Sequence, residues 1–160
     1  MTGLNLQART YLWYISLLRI YTGYYMLLQG IRKYQRDFPK GDWIGRQIGD
    51  LAAVDLYPWY KRLLTQYVIP HHEIFGYLVM VGEITVGLCL LLGLLTRLSA
   101  AIALFMVANY LLGPGLARGG ALFAHQQLFL AALFIILLSG AGRTLGLDGV
   151  IFGARGGRRG

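Results

Sequence analysis

The run Ile74–Leu95 (IFGYLVMVGEITVGLCLLLGLL) is long enough to cross a bilayer as a helix and carries a single charge, Glu83. A second run, Tyr11–Ile31 (YLWYISLLRIYTGYYMLLQGI), also holds one charge near its middle, Arg19. Two further apolar runs follow, Leu98–Leu112, which continues through Gly113–Leu116, and Ala121–Leu138. The chain of 160 residues is 56% hydrophobic and only 14% charged, with a mean hydropathy of +0.53. A single water-soluble domain of this size has too little interior to bury so much apolar surface, so lipid is the expected solvent. Inside lipid the backbone must satisfy its own hydrogen bonds, which makes the runs helices. The expected fold is an all-α integral membrane four-helix bundle in one domain, 1–160. Its spans fall at about 11–31, 74–95, 98–116 and 121–138.

The connections are unequal. Leu95-Thr96-Arg97 leaves almost no loop between the second and third runs, which predicts a tight antiparallel hairpin. Gly113-Pro114-Gly115 and Gly119-Gly120 break the chain before the fourth. The insert 32–73 is the one long connection. Within it Trp43–Leu56 is weakly amphipathic, with Ile44, Ile48 and Leu51 at helical spacing. After Pro58, which suits the start of a helix, Trp59/Tyr60, Leu63/Leu64 and Tyr67/Val68 recur every four residues around Lys61, Arg62, Thr65 and Gln66. That pattern fits an amphipathic interfacial helix lying at head-group depth, and equally a lid over the mouth of the bundle. Residues 139–160 read as a polar Gly/Arg-rich tail. The first run has no basic stretch before it and no small-residue cleavage pattern after it, so it is expected to be a retained helix.

The net charge of +8 sits almost wholly outside the apolar runs. Placed there, it addresses anionic lipid head groups rather than nucleic acid, and nucleic-acid binding is excluded on that ground. Lys and Arg fall on both sides in nearly equal number, and only the Arg155/Arg158/Arg159 tail tilts the orientation toward cytoplasmic termini. Cys89 is the only cysteine, which rules out an intramolecular disulfide or a CxxC redox pair. Glycines recur along the first run (Gly23, Gly30) and the second (Gly76, Gly82, Gly87, Gly93), as expected where small residues let membrane helices approach closely.

Ionisable groups at membrane depth mark candidate sites. Counted at about 1.5 Å per residue from the insert side, Arg19 lies roughly 18 Å deep and Glu83 roughly 14 Å deep. A buried Arg19–Glu83 pair is therefore expected, either fixing helix register or serving as a proton or ligand site. Other polar groups gather toward the insert: Lys33, His71, His72, Asn109, Tyr110 and His125. Adjacent His71-His72 lack the spacing of a metal pair, so no metal is expected. A pocket for a quinone head group or a small anion fits better, with His125, Asn109 and Lys33 around it.

In order, these motifs resemble those of the DoxX/DoxD family of small bacterial membrane proteins. The first run gives Arg19, Gly23, Gly30 and Lys33. The second gives Glu83, Gly87, Gly93, Thr96 and Arg97, and SGAGRTLGLDG gives Arg143, Gly146 and Asp148. The resemblance covers nearly the whole chain except about 36–70. Within the family the chain is similar to the DoxD-type small subunit of thiosulfate:quinone oxidoreductase. The resemblance implies a multi-pass protein of the bacterial cytoplasmic membrane and a subunit of a quinone-linked oxidoreductase working with other membrane protein subunits. A non-catalytic accessory subunit packed against a larger respiratory or photosynthetic complex is the main alternative. A small-solute carrier is the weaker one, since no inverted repeat is visible.

Overall fold

A computed structural model describes residues 3–40, 57–143 and 145–153. Every regular element among them is helical, the main ones being α1 Gly3–Gln35, α2 Pro58–Leu63, α3 His72–Leu92, α4 Thr96–Tyr110, α5 Gly120–Ser139 and α6 Leu147–Gly153. π-Helical turns prolong α2 through Leu64–Val68 and α4 through Leu111–Gly115, the latter at Pro114. The amphipathic stretch Trp43–Leu56 lies outside the described residues.

Helices α1, α3, α4 and α5 form the bundle. Three stretches, His72–Leu92, Thr96–Gly115 and Gly120–Ser139, are long and apolar enough to cross a membrane, and between 22% and 39% of each is buried inside the protein. The rest of their apolar surface faces outward: Phe105, Leu128 and Leu138 are each more than half exposed. Such a shell is stable only against lipid.

The expected hairpin is present, because α3 ends at Leu92 and α4 starts at Thr96. Gly93 ends α3 in the left-handed conformation at φ 65°, and a Cβ there would lie 2.1 Å from an Arg19 nitrogen. Only glycine meets both conditions.

The closest packing joins α1 to α3, where the backbones touch through glycines. A Cβ at Gly23 would stand 2.6 Å from the Leu91 amide nitrogen, and one at Gly87 would stand 2.5 Å from that of Leu27. Gly30 abuts Ile84 in the same way. Below this seam Met26, Val86, Leu90, Ala100, Ala103, Val107, Phe129, Leu133 and Ile136 make the core.

The seam sets a register that sequence counting missed. α1 runs from Gly3 to Gln35, and Arg19 packs at Gly93, the end of α3 farthest from the insert. Lys33, about 21 Å further along α1, is the residue that reaches Glu83.

A buried Lys–Glu–Tyr cluster and an arginine-held C-terminal segment

Glu83 is fully buried on the α3 face turned toward α1 and α4. One carboxylate oxygen, Oε1, takes an ion-paired hydrogen bond from Lys33 of α1 and a 2.7 Å hydrogen bond from the Tyr110 hydroxyl of α4. Lys33 Nζ also donates to the Tyr110 oxygen at 3.3 Å, and it stands over the rings of Tyr110 (5.0 Å) and Phe38 (5.5 Å). Aromatic faces suit an ammonium that has left bulk water, because the ring quadrupole replaces part of its hydration. The three residues tie together three helices. The second carboxylate oxygen, Oε2, is buried without a hydrogen-bond partner among the described residues.

α2 and its π turn cover this end of the bundle. Tyr60 and Leu64 are buried and pack with Phe38, Val68, Ile69, Leu112 and Ala117. The Tyr60 hydroxyl donates to the Asn109 carbonyl at 3.1 Å, and burial raises its pKa, which keeps it a neutral donor. The opposite face shows Tyr57, Trp59, Leu63 and Tyr67 to the outside, beside Lys61 and Arg62. The periodicity after Pro58 therefore serves two surfaces, one against the bundle and one outward.

Arg19 does not pair with Glu83. Its guanidinium, fully buried, donates through Nη1 to the Ala141 carbonyl at 3.2 Å and through Nη2 to the Leu145 carbonyl. Ser16 adds a hydrogen bond to the same Ala141 carbonyl. The offsetting charge is Asp148. Its carboxylate accepts from the backbone amides of Leu95 (2.7 Å) and Thr96 (2.9 Å), which are free donors at the start of α4. Asp148 N–H in turn donates to the Gly93 carbonyl at 2.9 Å. Gly142 and Gly146 permit this fit, since a Cβ on either would strike Thr96 Oγ1 or Arg19 Nη1. Residues 140–143 and 145–149, which read as the start of a polar tail, close the end of the bundle.

Of the pocket residues expected beside Glu83, the structure brings only Lys33 there. His125 is exposed on α5, stacks on Phe129 (5.8 Å) and meets the Tyr25 ring at a tilt (5.3 Å). Asn109 turns its side-chain amide to the Phe105 carbonyl of its own helix at 2.7 Å. His71 and His72 likewise bond carbonyls one turn back, of Tyr67 and Ile69. The expectation missed Tyr110 as a Glu83 partner, although it stood in the same polar group.

The family model described as DoxX matches residues 14–113. The chain belongs to the DoxX family. The matched stretch holds the whole Lys33–Glu83–Tyr110 cluster and Arg19, and it ends before the segment that Arg19 holds. Neither a curated protein nor a solved structure matches the chain. As a DoxX protein it is a multi-pass membrane protein, in keeping with its apolar helices.

Proposed function

We propose that this DoxX protein is a subunit of a quinone-linked redox complex in a bacterial cytoplasmic membrane, and that the Lys33–Glu83–Tyr110 cluster receives the quinone head group. α1 serves as the fourth span in this reading, with Trp13 and Tyr14 toward one interface and Tyr34 toward the other. The observation that carries the reading is Glu83, a buried carboxylate with one oxygen committed and the other unpartnered among the described residues. An unpaired acceptor at membrane depth costs several kcal/mol and marks a place where a ligand group or a proton belongs. The residues fit a small polar head: Lys33 keeps about a fifth of its side chain accessible, and Glu83 Oε2 offers an acceptor. A bound quinone would supply two-electron, two-proton redox chemistry. Lys33 holds the Glu83 charge in place, Tyr110 orients the carboxylate, and the α2 cap excludes water from both.

Glu83→Gln removes the proton acceptor while keeping the shape. It is expected to lower quinone-dependent turnover in native membranes about 100-fold, with the protein still co-purifying with its partners. Unchanged turnover would sink the reading.

The accessory role has its own support in the outward face of α1, where Tyr14, Leu17, Tyr21 and Tyr24 form an exposed aromatic strip suited to another membrane subunit. It predicts a different result for Glu83→Gln: loss from the complex with quinone turnover of the remaining complex intact.

A further inference from the structure

The hydrogen-bonding capacity left over in the cluster is specific. Lys33 has three N–H donors and uses two, on Glu83 Oε1 and the Tyr110 oxygen. The Tyr110 hydroxyl has one proton, already given to Glu83. Glu83 Oε2 is an acceptor with no donor among the described residues. What remains is one donor and one acceptor, offered by neighbouring side chains.

A carbonyl oxygen can take the Lys33 proton but has none to return to Oε2. An anion would accept from Lys33 and be repelled by the Glu83 carboxylate, and an ammonium would meet the reverse problem. A hydroxyl satisfies both positions, accepting from Lys33 and donating to Glu83 Oε2. An open cleft of about 440 Å³ lies between the end of α1 and the first half of α3, lined by Tyr34, Gln35, Asp37, Pro39, Lys40, Tyr77 and Met80. Met80 is buried one turn from Glu83 on the same helix, so the cleft floor adjoins the cluster. Tyr34 and Tyr77 give the cleft aromatic surface for a phenolic ring, beside the charges of Asp37 and Lys40.

We propose that the Lys33–Glu83 pair selects the hydroxyl form of its ligand, a benzoquinol or a similar phenolic amphiphile, over the corresponding carbonyl form. The ligand assignment rests on the quinone reading above, whereas the hydroxyl selectivity rests on the unfilled donor and acceptor.

The test is equilibrium binding to the detergent-solubilised full chain under argon. The probes are a short-chain benzoquinol, the matching benzoquinone, the dimethyl ether of the quinol, and an alkylphenol. Wild-type protein is expected to bind the quinol and the alkylphenol at least about tenfold more tightly than the quinone or the ether, the worth of one hydrogen bond to a charged acceptor. Glu83→Gln, whose amide can donate to a carbonyl, is expected to narrow or invert the quinol-to-quinone ratio. Equal binding of quinol, quinone and ether would overturn the hydroxyl selectivity and leave the quinone site standing. Binding of the alkylphenol alone would uphold the selectivity and remove the quinone. Absence of binding by all four probes would overturn both, leaving water as the occupant of the Lys33–Glu83 gap. The wild-type comparison needs no variant to fold.

Discussion

Replacing Arg19 by methionine is expected to destabilise the protein by about 3–5 kcal/mol, the usual consequence of removing one member of a buried charged network. The side chain fills a similar volume but leaves the Ala141 and Leu145 carbonyls without their donor and Asp148 without its offsetting charge. Heat denaturation in detergent should show a lowered midpoint, and trypsin should cut after Arg143 much faster than in the wild type. Asp148→Asn is expected to destabilise as well, because Leu95 and Thr96 donate to different carboxylate oxygens and the asparagine amide can accept from only one of them. If Arg19→Met melts like the wild type and its C-terminal segment stays protected, the segment is held by packing and the guanidinium is dispensable.

The second large effect is expected at Gly87. Its hypothetical Cβ lies 2.5 Å from the Leu27 backbone nitrogen and 2.8 Å from the Leu27 Cα, so the obstacle is main chain and cannot rotate away. Gly87→Leu must therefore push α1 off α3, at about 3 kcal/mol or more. It would also separate Lys33 from Glu83, because both ends of that pair depend on the same seam. The prediction is checked by a crosslink between cysteines placed at Leu27 and Leu91 in a Cys89→Ser background. Retained crosslinking efficiency in Gly87→Leu would show that the helices tolerate the added side chain.

The architecture was legible in the sequence because apolar length and charge depletion are enough to specify membrane helices. The hairpin at Leu95 and the glycine contacts at Gly23, Gly30 and Gly87 followed from the same reading. The pairing of charges did not. It required the register of α1 on α3, and the boundaries of an apolar run do not report it: the glycine seam sets Arg19 against Gly93, at the end of α3 farthest from the insert. Lys33 was expected at the pocket but not as the partner of Glu83, for a related reason. It sits past the last apolar residue of its run, yet a four-carbon stem carries its ammonium back to Glu83. Asp148 lay in the segment read as a tail, and its role depends on amides freed by the Leu95 turn, a three-dimensional circumstance with no periodicity to reveal it. α2 was legible as amphipathic, but the sequence offered no way to choose between membrane surface and lid. Burial of Tyr60 and Leu64 and exposure of Trp59 and Tyr67 give it contact on both sides.

The contact between Arg19 and Ala141 spans 122 positions of sequence. At ribosomal speeds of about 5–20 residues per second, the acceptors of this guanidinium are synthesised roughly 6–24 s after Arg19 itself. The first helix thus enters the translocation machinery with a cation whose protein partners do not yet exist. Its place near one end of the bundle lets lipid phosphates or water solvate it during that interval. Biogenesis then includes an exchange of solvent for main-chain carbonyls, completed only once the segment around Ala141 has been made.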